Sequence, residues 1–269
     1  MSTISAQLRQ AQLRRGLPTV LAMTALLLAA VPAWPRTPQP AALTVLAAAS
    51  LTDAFRALAA EYHRSTGADV RLSFGSSAAL KTQIQQGAPA DVFASADREQ
   101  MEPLARAGLV AAPRVLAHNR LAVAVPAKGA KVRSVADLAK PGVRLVLAAP
   151  TAPAGRYADE MLRRLDGARG YQRGFAGRAL ANVVSREANV RAALAKVELG
   201  ETDAAVVYAT DAMASRKVRA LPVPAMAQVR AVYLIAVVAD SHNRQLAEGF
   251  VRLALSPHGQ AALRRYGFQ

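Results

Sequence analysis

The chain reads as an α/β protein with largely parallel sheets, and three observations carry that reading. From Leu43 onward, short apolar runs of strand length alternate with stretches whose apolar residues recur at helical spacing. The junctions between them are made of Gly, Pro, Ser and Ala, the residues of tight turns and helix starts. One junction type, in which a strand hands over directly to a helix through small or hydroxyl-bearing residues, recurs at three places. Sheets built this way carry helices on both faces, and ligands bind beyond the carboxyl ends of their strands.

The first unit begins with the apolar run Leu43 to Ala47, a short buried strand, followed by the turn Ala48-Ala49-Ser50. Leu51, Phe55, Leu58 and Tyr62 then mark a helix, with Ser50 as its expected N-cap and Asp53 completing a capping-box-like Ser-x-x-Asp. A strand feeding a helix N-terminus gathers free N–H groups and the positive end of a helix dipole at one point, which suits an anion. An ordinary capped helix would read the same way. Gly67 ends the helix, Val70 to Phe74 is a second strand, and Gly75-Ser76-Ser77 starts a second helix with Ser77 as the expected cap. Asp91-Val92-Phe93 is a third strand, and Ser95-Ala96-Asp97 caps a helix carrying Met101 and Leu104. Asp91 and Asp97 are readable as catalytic carboxylates, but a turn residue and a cap are the simpler roles.

Leu121 to Val125 is the next strand, Val135 to Leu138 a short helix, and Val143 to Ala148 another strand. Ala152-Pro153-Ala154-Gly155 then opens a helix bearing Tyr157, Met161, Leu162 and Leu165, with Pro at a helix start and Gly155 allowing a ligand close to the backbone. Arg163 to Arg178, with five arginines and one Asp, reads as solvated surface. Asn189 and Val190 open a helix that Gly200 closes; Ala204 to Tyr208 is a buried strand; Thr210-Asp211 starts a short helix. Val229 to Val238 reads as the longest strand, and helices at Arg244 to Leu255 and Pro257 to Tyr266 complete the chain.

The N-terminus stands apart. Residues 1–15 carry Arg9, Arg14 and Arg15 and no acidic residue, Leu17 to Ala30 is almost wholly apolar, and Val31-Pro32-Ala33 offers a small residue for cleavage. This is the pattern of a secretory signal peptide, expected at 1–33 with cleavage near Ala33 and a loose leader at 34–41. The apolar run is shorter than the roughly 20 residues of a membrane span, the alternative being a retained anchor. Removing 1–33 takes three positive charges from the formal +16, leaving +13. That field favours encounter with small anions. The basic residues are spread thinly among only 5% aromatics, so nucleic acid is not an expected partner. The absence of cysteine excludes disulfides, thiolate metal sites, thiol nucleophiles and lipid attachment through cysteine, and the four histidines show no metal-ligand spacing.

Taken in order, Ala47-Ala48-Ala49-Ser50-Leu51, Phe74-Gly75-Ser76-Ser77, Gly87 to Asp97, Pro153-Ala154-Gly155-x-Tyr157, Asn189-Val190-Arg191-x-Ala193-Leu194 and Val207-Tyr208-x-x-Asp211-Ala212 resemble the periplasmic molybdate-binding proteins of ABC transporters, as does the closing Tyr266-Gly267-Phe268. The resemblance spans about residues 42 to 269. It implies a two-lobe type II periplasmic-binding-protein fold with two inter-lobe crossovers, near Asn119 and near Gln228. The lobes would be 42–119 plus 228–269, and 120–227. It also implies molybdate, and with it tungstate, bound at Ser50 and Ser77 through hydroxyls and amides, at Ala154 and Val190 through backbone N–H groups, and at Tyr208 through its phenol. No cofactor and no bare metal cation are implied; the partner is a membrane permease, the location is periplasmic, and a monomer is expected. One departure stands out: Ala188 occupies the place where Glu is expected before the Asn-Val-Arg run, with Glu187 one position earlier.

The residues read by themselves agree. None of the five positions is Lys or Arg, so an anion would be held by neutral donors and helix dipoles. A donor-only set suits a fully ionised oxyanion such as molybdate, tungstate or sulfate better than phosphate. The alternatives are a carrier of another oxyanion such as sulfate, a ferric-ion carrier using Tyr157, Tyr171 and Tyr208, a sensory module, and a hydrolytic enzyme with Ser50 or Ser77 as nucleophile.

Overall fold

In a computed structural model of the chain, residues 42–269 are described; the expected signal peptide and leader lie outside them. Strand β1 (Ala42–Ala48) pairs in parallel with β2 (Asp69–Gly75) on one side and β3 (Val92–Ser95) on the other. Helix α1 (Thr52–Thr66) returns the chain between β1 and β2, burying Phe55, Leu58 and Tyr62, and Gly67 ends it in the left-handed conformation (φ 71°). Helices α2 (Ser77–Gln85) and α3 (Arg98–Arg106) follow β2 and β3.

The next strand is the one on which the architecture turns. β4 (Arg114–Pro126) begins seven residues before the expected strand and, at 13 residues, exceeds β9 (Arg230–Val237), so Val229 to Val238 is not the longest strand. Its first half, Arg114 to Arg120, pairs antiparallel with β9. Its second half, Leu121 to Pro126, pairs antiparallel with β7 (Ala204–Tyr208) and β8 (Val218–Pro222). One strand thus belongs to both halves of the molecule. Hydropathy located only the half that is apolar throughout; the first half carries Arg114, His118, Asn119 and Arg120 and mixes exposed with buried positions.

In the second half, β5 (Leu145–Ala148) pairs in parallel with β6 (Val183–Glu187) and β7. Helices α4 (Pro153–Leu165), α5 (Phe175–Ala181), α6 (Val190–Glu198) and α7 (Ala209–Met213) complete it. Parallel pairing holds wherever β4 and β9 are not involved, and every antiparallel pair contains one of these two strands. The result is a two-lobe α/β structure with a sheet in each half. β8, β6 and α5 were not foreseen. β6 is half-buried with Arg186 and Glu187 in its sequence, and α5 lies in the stretch read as solvated surface, although Phe175, Ala176 and Ala179 are buried.

The return crossing is held by a side chain. The Gln228 amide donates to the Leu121 carbonyl (3.1 Å) and accepts from the Leu121 N–H (2.8 Å), mimicking a strand partner where β4 changes sheets. Helices α8 (Arg244–Leu255) and α9 (Pro257–Arg265) pack back on the first half. Phe250 of α8 meets Phe55 and Tyr62 of α1 edge to face, at 5.8 and 5.6 Å. The C-terminal Gln269 pairs with the backbone of His118 on β4, which buries Phe268 behind the junction.

Candidate functional site

The carboxyl ends of β1, β2, β5, β6 and β7 converge on one small cavity between the two halves. Ser50, Ser77, Ala154, Val190 and Tyr208 all line it, and each is at most 4% exposed. The space open to the centre of a water-sized sphere is about 20 Å³, enough for a small ion and far below the hundreds of Å³ of an organic-ligand pocket. No Asp, Glu, Lys or Arg lines it.

The local backbone explains which donors face this space. In α2, α4 and α6 the first helical bonds come from the N–H groups of Leu80, Arg156 and Ala193. The N–H groups of Ser77, Ala154 and Val190 precede them and have no carbonyl of their own helix to bond. Caps remove competitors. The Asn189 side chain accepts from Arg191 and Ala192, leaving Val190 as the free amide of that turn, and Pro153 has no N–H to offer in α4.

The hydroxyls are arranged differently from the sequence expectation. Ser77 is not the cap of α2; Ser76 is, accepting from the Ala79 N–H at 3.2 Å. Ser77 is thereby the first helical residue, and its Oγ accepts from the Ala96 N–H at 2.9 Å, which leaves its own proton to point elsewhere. Ser50 is not a cap either. It sits in a single 3₁₀ turn, Ala49–Leu51, that tightens the junction before α1, and its Oγ lies 2.7 Å from the Tyr233 hydroxyl. Asp53 makes no capping box; it pairs with Arg191. Tyr208 ends β7, is fully enclosed, and its hydroxyl has no hydrogen-bond partner among the described residues. Burial pushes its pKa well above the usual range, so it stays a donor.

Gly155 serves the strand rather than the ligand. A Cβ there would stand 2.1 Å from the Ala149 carbonyl oxygen and 2.4 Å from that of Ala148, so the glycine lets α4 press against the end of β5.

Two arginines missed from sequence brace the cavity from opposite sides. Arg156, two residues beyond Ala154, reaches Asp97 at 2.7 Å and Glu99 at 2.8 Å at the start of α3. Arg191, next to Val190, reaches Asp53 of α1 and Asp211 of α7, both at 2.6 Å. Each ties a wall carrying Ala154 or Val190 to the wall carrying Ser50 and Ser77. Burial raises the pKa of Asp97, and pushes that of Asp211 up to about 6, against the pull of their arginines. The signal was present in sequence only as arginines near site residues, because the partners on the other wall, Asp97 and Asp53, lie 59 and 138 residues away.

The cavity lacks the parts of a hydrolase. The nucleophile candidates Ser50 and Ser77 hydrogen-bond to a tyrosine and a backbone amide, and no histidine bonds to either among the described residues. The three tyrosines of an iron site do not converge, since Tyr171 packs on Phe175 (4.9 Å) and is not among the lining residues. No group of three metal-ligating side chains is present among the described residues, and no described helix is long and apolar enough to cross a membrane.

Residues 43–269 match the family described as bacterial extracellular solute-binding protein. The chain is 38% identical over 230 residues to the molybdate-binding protein ModA of Mycobacterium tuberculosis (strain H37Rv), covering 84% of each chain. It is 34% identical over 236 residues to ModA of Escherichia coli K12, covering 84% of this chain and 88% of that one. The periplasmic molybdate-binding protein of Azotobacter vinelandii has a similar structure, with a TM-score of 0.74, 25% identity, and coverage of 84% of this chain and 98% of that one. The chain belongs to the family of bacterial extracellular solute-binding proteins that includes the molybdate-binding proteins ModA.

Proposed function

We propose that this protein captures molybdate, and with it tungstate, in the cavity between its lobes and delivers the anion to the permease of an ABC transporter. It is a carrier and not an enzyme, as its relatives are substrate-binding proteins. The observation that carries the reading is the uncharged lining of a 20 Å³ cavity: the hydroxyls of Ser50, Ser77 and Tyr208 and the first-turn amides of three helices line it, and no carboxylate does. Such a site rewards an ion that accepts at every oxygen and penalises one that must donate. Helix N-termini supply positive potential without a charged side chain that would be costly to desolvate.

In this reading Ser50, Ser77 and Tyr208 donate their hydroxyls, and Ala154 and Val190 their backbone N–H groups. The lobes are 42–119 with 228–269, and 120–227. The division is supported by the change of pairing partner of β4 between Arg120 and Leu121. Closure of the lobes on the anion gives the form that the permease reads, driven by the anion's higher affinity for the closed state. The protein acts as a monomer outside the cytoplasmic membrane, after removal of a signal peptide near Ala33.

Titration calorimetry on residues 34–269, stripped of anions, tests this against molybdate, tungstate, sulfate and phosphate. One-to-one binding of the first two with little heat from the others is expected. Tight sulfate binding with weak molybdate binding would reassign the substrate, and no binding by any of the four would overturn the oxyanion reading.

A further inference from the structure

The Ser50 hydroxyl has two hydrogen-bonding modes, and only one of them offers a proton to the cavity. Which mode holds is decided by groups behind it that do not line the cavity. Tyr233 on β9 is fully buried, and its hydroxyl has two neighbours: Ser50 Oγ at 2.7 Å and Asn119 Nδ2 at 3.5 Å. The orientation of the Asn119 amide is fixed, because its Oδ1 accepts from the Arg120 N–H at 2.9 Å. Its NH₂ therefore faces Tyr233 and Thr210, donating to Thr210 Oγ1 at 2.8 Å. An NH₂ group cannot accept, so the Tyr233 proton has one acceptor available, Ser50 Oγ.

We infer that Asn119 and Tyr233 form a one-way hydrogen-bond relay that leaves the Ser50 proton free to point into the anion cavity, making Tyr233 and Asn119 positioning residues for oxyanion binding. The inference rests on the proposed capture of an oxyanion by Ser50. It extends to Ser50 the arrangement seen at Ser77, where the Ala96 N–H donates to the hydroxyl oxygen. A serine hydroxyl that accepts from Tyr233 cannot spend its own proton on that bond, so the relay leaves the Ser50 proton for an acceptor in the cavity. Burial raises the Tyr233 pKa, which keeps the relay supplied with its proton.

Packing holds Tyr233 in place. Its ring meets Tyr208 edge to face at 5.8 Å and Phe268 at 5.3 Å, so the C-terminus and the other cavity tyrosine pin it from two sides. The relay also spans the crossing. Asn119 stands on β4, Thr210 on α7 and Tyr233 on β9, so the donor orientation at Ser50 depends on the junction being assembled.

The test is a double-mutant cycle between Tyr233→Phe and Ser50→Ala, read as molybdate affinity by calorimetry. Tyr233→Phe removes the hydroxyl and keeps the ring packing. It is expected to weaken molybdate binding about threefold to tenfold with Ser50 present, and to leave affinity unchanged in the Ser50→Ala background. Asn119→Ala, which frees Tyr233 to accept, is expected to show a smaller loss with the same dependence on Ser50. An equal loss in both backgrounds would mean that Tyr233 only shapes the cavity, and would overturn the relay. No loss in either background would overturn it as well. Failure of the unaltered chain to bind molybdate, tungstate or sulfate would overturn the oxyanion reading first, and the relay with it.

Discussion

Replacing Tyr208 by Phe separates binding from folding, because the hydroxyl it removes is enclosed and has no protein partner among the described residues. A hydrogen bond to a charged acceptor contributes about 1.5–3 kcal/mol, so losing it weakens molybdate binding about tenfold to 150-fold. The fold loses nothing comparable. The ring still fills its place against Tyr233, and an enclosed hydroxyl without a protein partner contributes no net stability. Unfolding of the anion-free variant by urea is therefore expected within about 1 kcal/mol of the unaltered protein, on either side. With saturating molybdate the two proteins separate, since stabilisation by a ligand follows its affinity. Calorimetry gives the affinity and urea unfolding the stability, with and without anion. Unchanged molybdate affinity would refute the assignment of Tyr208 as a donor. A loss of several kcal/mol in the anion-free protein would refute the claim that its hydroxyl is structurally idle.

Two further outcomes follow from charged groups. Arg156→Leu breaks the tie between the Ala154 wall and the buried Asp97; molybdate affinity should fall about fivefold to thirtyfold, chiefly through faster dissociation measured by stopped flow, and an unchanged dissociation rate would count against a bracing role. Asp137, whose pKa is lowered to about 2 by Lys140 and by the N–H groups of Arg133 and Ser134, stabilises the fold above its ordinary value of 3.8 and loses that contribution as pH falls through 2. Discounted for the exposure of Lys140, the contribution is about 1–2 kcal/mol. Asp137→Asn should cost that amount in urea unfolding at pH 7 and clearly less near pH 2; an equal cost at both would refute the linkage.

Much of this molecule was legible in its sequence, for local reasons. The helix at Thr52–Thr66 announces itself by apolar spacing and ends at a glycine, and Pro153 and Asn189 mark helix starts by chemistry that acts within three residues. Ser50, Ser77 and Ala154 lie in three strand-to-helix junctions that the residue pattern itself marks, and such junctions line up along one edge of an α/β sheet. Resemblance to the molybdate-binding proteins supplied the rest of that list.

What the sequence could not supply was anything decided by distant partners. Ser50 and Ser77 both looked like caps, since capping is judged from the next three residues. Their hydroxyls are instead occupied by Tyr233, 183 residues away, and by the Ala96 N–H, 19 residues away. The same holds for β4, whose first half is polar enough to pass for a loop until β9 supplies its hydrogen bonds, and for Arg156 and Arg191, whose carboxylate partners lie across the cavity. Sequence determined which donors the junctions would carry, because propensity and turn chemistry are local. Tertiary structure alone decided which way those donors point, because a hydroxyl proton goes wherever the fold has left an acceptor.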